Sequence, residues 1–364
     1  LGESVLQLKR QKKAGRVVGL DIEAGGIAAA EVDGTSHVAR AAVQPLAPGA
    51  FHEGEIADSD RVADALKELF SQHKLSKRVR LGIGNQRVVV RTLRLPAIED
   101  PKELDAAVRF QAQEQMPMPL DQAVLEHQVV GGVAGEEGSP PQLDVVVVAA
   151  RRDMVERFID PLRRAGLEPA GIDLSAFGMI RALAGNEQAT AVAEGGAGGT
   201  DQVVLYCNLG EIMNLAVARG RSCLFTRVSM VGLDPIAGRL AAEAGLTPEH
   251  AVQWLSYVGL ERPLAEIEGD PDLLARVRAT LEEGVTGLVD ELRLSIDYYA
   301  AQESAVPVGQ IVLCGPGSAI PGLVEAMEGG VGLPMSAARP PAFAGFPDAA
   351  AARLTMAYGL ALEN

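Results

Sequence analysis

The chain is short of the residues that build metal or disulfide frameworks. Of its 364 residues only three are cysteine and five are histidine. Cys207, Cys223 and Cys314 are odd in number and far apart, which argues against a disulfide scaffold and fits a reducing, cytoplasmic compartment. His37, His52, His73, His127 and His250 are scattered singly, with no metal-ligand spacing. Aromatic residues are only 4%, so the core must be mostly aliphatic. Long apolar runs are missing as well. The best candidate, residues 145–150 with Leu143 nearby, falls far short of the ~20 residues a membrane-spanning helix needs, and the first residues lack the apolar stretch of a signal peptide. Positive charge is scarce: 33 Lys and Arg face 48 Asp and Glu, a net charge of −15, which excludes a general nucleic-acid binder. The exception is the N-terminal segment, where Lys9, Arg10, Lys12, Lys13 and Arg16 face only Glu3. Two readings of it stand, attraction to an anionic lipid surface and a solvated, flexible leader over residues 1–15.

What is present is enough apolar residue (48%) and length for a sizeable core in two or more domains. Two stretches half a chain apart share one pattern. Residues 16–32 (RVVGLDIEAGGIAAAEV) and 202–220 (QVVLYCNLGEIMNLAVARG) each predict a strand, a tight turn and a second strand. The first turn carries Asp21, Ala24, Gly25 and Gly26; the second carries Asn208, Gly210 and Glu211. A hairpin used twice in this way can pinch a phosphate chain between backbone amides. The arrangement unites nucleotide-binding proteins of actin and sugar-kinase type. Further on, a strand over 310–313 runs into Gly315, Pro316, Gly317 and Ser318, and a helix is predicted from Ile320. Small residues there let backbone approach an adenosine or phosphate without a Cβ in the way, although a tight strand-to-helix connection asks for the same residues.

Between the hairpins, residues 59–73 predict an amphipathic helix capped by Asp58 or Ser59, with Val62, Leu66, Leu69 and Phe70 on one stripe. Strands follow on either side of Asn85 and Gln86. A second helix opens on Asp100, Pro101 and Glu103, a capping box with proline at the first position, and stops before Met116-Pro117-Met118-Pro119. Strands over 124–130 and 143–150 enclose a loop at 133–141, and a helix over 153–165 ends at Gly166. Residues 79–170 therefore predict a compact β/α insert of ferredoxin-like or similar kind. The Gly/Ala-rich stretch 184–201 is the clearest boundary. Helices over 234–245, 248–258, 272–302 and 354–362 complete the second half, with Trp254 expected between domains.

In several motifs taken in order, the chain resembles the family of the type IV pilus assembly protein PilM, an actin-like relative of the cell-division protein FtsA. The stretch LRLPAIEDPKELDAAVRFQAQEQMPMPLDQAVLEHQVV is the most specific; VVVAARRDMVERFIDPLRRAGLEPAGIDLSAFGMIRAL, the Ser295-Ile296-Asp297-Tyr298-Tyr299 helix and LCGPGSAIPGL follow at matching spacing. The resemblance implies an actin-like, ribonuclease H-like two-lobe α/β fold with a small SHS2-like insert. Residues 16–78 and 171–190, with 341–364 returning, would form the first lobe, 79–170 the partner-binding insert and 191–340 the second lobe. It further implies a cytoplasmic protein at the inner face of the inner membrane, held there through the N-terminal cytoplasmic tail of a PilN-like membrane protein, with the pilus motor as a further neighbour. Glu114, Met116, Met118 and Asp121, around the Pro-x-Pro turn, are the candidate partner contacts.

The resemblance implies a cleft for ATP with Mg²⁺ at Asp21, Ala24, Gly25, Gly26, Asn208, Gly210, Glu211, Gly315, Pro316, Gly317 and Ser318. Against that pattern, Glu23 stands where glycine is usual, Gly25 replaces a hydroxyl residue, Ala28 a frequent lysine, and Asn208 an aspartate. Asparagine is a weak Mg²⁺ ligand, and a glutamate beside a triphosphate repels it. Three outcomes stay open: nucleotide held and hydrolysed slowly, no nucleotide and a pure scaffold, or a competent ATPase. An assembly scaffold without catalytic residues is the leading reading. An FtsA-like division ATPase and a sugar-kinase-like phosphotransferase are the alternatives; the latter needs a general base that is not evident.

Overall fold

A computed structural model describes residues 16–33, 36–133, 141–184, 202–302 and 305–362. The basic residues Lys9, Arg10, Lys12 and Lys13, the stretch 185–201 and most of the 133–141 loop lie outside the described residues.

The two hairpins seed two five-stranded sheets of identical topology. In the first, β1 (Val18–Glu23) pairs antiparallel with β2 (Gly26–Val32), which pairs with β3 (Val38–Gln44). On its other side β1 runs parallel to β6 (Arg78–Ile83), and β6 to β10 (Glu168–Leu174). The small ribbon of β4 (Phe51–His52) and β5 (Glu55–Ile56) stands apart. In the second sheet β11 (Val203–Leu209), β12 (Met213–Arg219) and β13 (Ser222–Ser229) form the same antiparallel meander. Strands β14 (Gln310–Cys314) and β15 (Met335–Ala337) add the parallel pair.

Helices and sheets alternate in five layers. Helices α1 (Ser59–His73) and α3 (Arg152–Arg164) cover one face of the first sheet, burying Leu66, Leu69, Phe158 and Leu162 against Val18, Leu20, Val79 and Leu81. Helix α1 starts at the predicted cap, where the Asp58 carboxylate accepts from the Asp60 and Arg61 amides. The outer face of the second sheet is covered by α5 (Leu233–Ala244), α6 (Pro248–Val258), the 30-residue α7 (Pro271–Ala300) and α8 (Leu323–Val331). Trp254 packs at the edge of this second core and stacks edge-on with Tyr257, not between domains.

The middle layer holds α4 (Ser175–Leu183) and α9 (Asp348–Ala361), and both sheets pack on it through Ala28, Ala30, Tyr206, Ala216 and Val312. Here the scarcity of large side chains is explained. A Cβ on Gly359 would stand 1.7 Å from the Gly178 carbonyl oxygen, and one on Gly19 would stand 1.9 Å from that of Ala357. Only small residues let two helices and a strand approach so closely. The C-terminal helix packs mainly on α4 and on β1 and β2 of the first sheet, and meets the second lobe chiefly at the turn after β14. It begins at Asp348, ahead of the expected 354, because the alanines after Pro347 are strong helix formers.

The insert is smaller than residues 79–170. Its own sheet is β7 (Val89–Pro96), β9 (Gln142–Arg151) and β8 (Ala123–Val133), in the order β7-β9-β8, with α2 (Pro101–Gln115) across one face. Strands β6 and β10 and helix α3 lie outside it, because Val79, Leu81, Ile83 and Leu162 share the first-lobe core. The sequence pattern does not mark β3, β4, β5, β10, β13 or β15: β3, β10 and β13 are part-exposed edge strands with mixed polar residues, and β4, β5 and β15 span only two or three positions.

Candidate functional site

Strand alternation aims the key residues. Val18, Leu20 and Ile22 of β1 face the outer core, so Asp21 and Glu23 face the middle layer. In β11, Val203, Leu205, Cys207 and Leu209 face the other outer core, which turns Asn208 inward too. The two turns thus meet across the interlobe cleft.

They meet by hydrogen bonding to one another. The Asn208 side-chain amide donates to Glu23 Oε1 at 3.0 Å. The Ala24 backbone amide donates to Glu211 Oε2 at 2.8 Å. Each turn therefore offers a carboxylate to the other. The Asp21 carboxylate, buried below, accepts from Ser175 Oγ at 3.1 Å. From α9, Arg353 Nη1 donates to the Gly25 carbonyl at 3.0 Å. Gly26, with φ +147°, leaves no room for a side chain because a Cβ would stand 2.6 Å from the Gln44 carbonyl oxygen. Gly210 has the Glu23 carboxylate 2.9 Å from where its Cβ would be.

Burial dominates the electrostatics. It pushes the Asp21 carboxyl up to about 8, with the neighbouring Glu23 adding to the shift. Glu23 is raised by burial as well, although Arg353 and Asn208 pull the other way. Burial lifts Glu211 to about 7 against the pull of the Ala24 amide, and Asp234 at the start of α5 is raised beside it.

The third predicted segment differs from expectation. Pro316–Ala319 is a single 3₁₀ turn, and α8 starts only at Leu323, because Pro321 and a left-handed Gly322 (φ +76°) interrupt the path. Gly315 (φ +78°) lies against the Asn208 side chain, where a Cβ would be 2.3 Å from Oδ1, and Gly317 lies against Leu209. Ser318 Oγ donates back to the Gly315 carbonyl at 2.7 Å. These small residues fit the turn onto β11. Ser175, Asp234 and Arg353 were missed by sequence reasoning; they arrive from segments remote from the turns and carry no local signal.

A second feature lies beside the insert. Leu125, Val145, Val147 and Ala149 face α2, so the alternate residues Val124, Glu126, Gln128, Val130, Val146, Val148 and Ala150 form the uncovered face of the insert sheet. With Ile172, Phe177 and Arg181 of the first lobe and Arg221 of the second they line a cavity of about 670 Å³. A cavity of about 430 Å³ adjoins it and shares Ile83, Val88 and Leu174 as walls. Asn214, 4% exposed, lines this smaller cavity, and its Oδ1 is buried without a hydrogen-bond partner. The predicted partner contacts are elsewhere. Met116 is buried in the insert core with Met118 packed against it, on the α2 side of the sheet, and Glu114 and Asp121 are exposed outside the cavity lining. The sequence could not separate the sheet's two faces because both carry valine.

Similar structures share this architecture. A chain of a PilM-PilN type IV pilus biogenesis complex superposes with a TM-score of 0.76 at 24% identity, over 95% of this chain and 97% of that one. The ethanolamine utilization protein EutJ from Carboxydothermus hydrogenoformans gives 0.54 at 12% identity, over 95% and 89%. MreB5 of Spiroplasma citri bound to ADP gives 0.54 at 13% identity, over 96% and 95%. These likenesses establish an actin-like fold. The family model described as type IV pilus assembly protein PilM matches residues 19–364, and the chain belongs to that family.

Proposed function

We propose that this chain is an assembly scaffold of a type IV pilus or related secretion machine. It holds the cytoplasmic N-terminal tail of a PilN-like inner-membrane protein in the adjoining cavities beneath the insert sheet. The observation that carries the reading is the uncovered valine-rich face of that sheet within a protein of the PilM family. Two joined cavities suit an extended segment better than a compact ligand, and a tail amide in the smaller one would satisfy the buried Asn214 oxygen. The PilM relative that matches over nearly its whole length was solved in a complex with PilN. No helix of the described residues is long and apolar enough to cross a membrane, so attachment at the inner face of the membrane would come through the partner. Motor components would be met on the remaining surface.

The role proposed is that of an adaptor and not of a catalyst. ATP with Mg²⁺ is the ligand the fold implies for the cleft, as the ADP-bound MreB5 illustrates. The division-ATPase and sugar-kinase readings have no specific observation in their favour.

Calorimetric titration with the N-terminal cytoplasmic peptide of a PilN-like protein tests the proposal. Saturable binding is expected, and Val148→Arg, which puts a charge into the uncovered face, should weaken it at least about tenfold. Equal affinity in wild type and variant would remove the cavity from the reading.

A further inference from the structure

We infer that the Glu23 carboxyl group occupies the place between the two turns where a nucleotide phosphate would have to sit, so that this chain excludes nucleoside triphosphates and joins its lobes without one. The inference stands independently of the tail-binding reading.

Occupancy comes first. The Glu23 carboxylate takes the Asn208 side-chain amide at 3.0 Å and lies against Gly210 so closely that a Cβ there would be 2.9 Å from one carboxylate oxygen and 3.2 Å from the other. The small residue in the second turn thus makes room for this chain's own side chain. A backbone amide facing the cleft, that of Ala24, is likewise given to Glu211 at 2.8 Å. A phosphate would have to displace both carboxylates to reach these donors.

Charge points the same way. Asp21, Glu23, Glu211 and Asp234 act on one another across the cleft. Against them Arg353 acts on Glu23, and the His52 side chain acts on Asp234. Burial already disfavours ionisation of these carboxylates, and a polyanion brought among them would disfavour it further, so that its binding would require them to take up protons as well as to give up their hydrogen bonds. Mg²⁺ finds Asn208, a neutral side chain committed to Glu23, where the pattern has a carboxylate. On the adenosine side, Gly315 and Gly317 are used to seat the turn on Asn208 and Leu209. The residues present do not fit a magnesium-bound triphosphate.

The test is a fluorescence titration of the full chain with a fluorescent ATP analogue and Mg²⁺, in wild type, Glu23→Gly and Glu23→Gln. Wild type and Glu23→Gln, which keeps the volume and the hydrogen-bond acceptor, should show no saturable binding up to about 1 mM. Glu23→Gly should gain at least about tenfold in affinity. Saturable binding by wild type, no gain in a folded Glu23→Gly, or an equal gain in Glu23→Gln would each overturn the assignment. Should Glu23→Gly not fold, the wild-type melting temperature decides. It should not respond to millimolar Mg-ATP relative to a magnesium control of equal ionic strength, and a rise would overturn the inference.

Discussion

The interlobe cleft and the groove under the insert sheet are built by the same device, strands that alternate one face toward a core and the other toward a gap. In the cleft the gap-facing positions are Asp21, Glu23 and Asn208; Glu23 and Asn208 bond to each other across the gap, and Asp21 accepts from Ser175 of α4. In the groove the gap-facing positions are mainly valines, which leave a cavity of about 670 Å³ between them and Ile172, Phe177, Arg181 and Arg221. Polar groups close the gap in one place because buried donors and carboxylates must find partners, and the nearest partners are on the other lobe. Apolar side chains impose no such pairing, so the groove stays open until something covers it.

The contrast can be broken at its shared support. Gly359→Val would drive a side chain into the Gly178 carbonyl and force α4 and α9 apart. Both regions depend on this layer, since α4 supplies Ser175 to the cleft and Phe177 to the groove. A loss of about 3 kcal/mol is expected, measured as a large fall in melting temperature by calorimetry. A smaller change should separate the two regions. Asn208→Ala removes the side-chain donor to the buried Glu23 carboxyl group, at a cost of about 2 kcal/mol. Denaturant melts should show that loss while tail-peptide affinity stays at the wild-type value; a fall in both would mean the regions are coupled.

The mildest probe is pH. Asp21 is raised to about 8 and Glu211 to about 7, both above unfolded carboxylates at about 4. A raised folded value means the native state binds more protons than the unfolded state between these limits. The associated stability is complete below about pH 4 and is lost as pH rises through 7 to 8. The groups facing this cluster are Ser175, the Ala24 amide, Asn208, Arg353 and His52. Melting temperature should fall from pH 6 to pH 8.5, and Asp21→Asn should flatten the fall. An unchanged slope would place the titrating groups elsewhere.

The basic leader reads differently at its end than its composition suggests. Arg16 lies 3.6 Å from Glu31, a fully buried carboxylate that also accepts from Arg40 and Ser76. This cation serves the end of the first hairpin, where an unpaired buried charge would be costly.

The sequence by itself determined the two hairpins, the capped helices and the family, because these depend on local periodicity, on capping chemistry and on motifs in order. Val62, Leu66, Leu69 and Phe70 mark α1 as plainly as Asp58 marks its start. It also singled out Glu23 and Asn208 as unusual, though not what they do. Only the tertiary structure decided that the two are bonded to each other, that Ser175 and Arg353 complete the cleft from remote segments, and which valine face of the insert is covered. The reason is the range of the interactions. Periodicity and caps act within a few residues, whereas the fate of a buried carboxylate is fixed by whatever donor packing brings within 3 Å, and here that donor lies 185 positions along the chain.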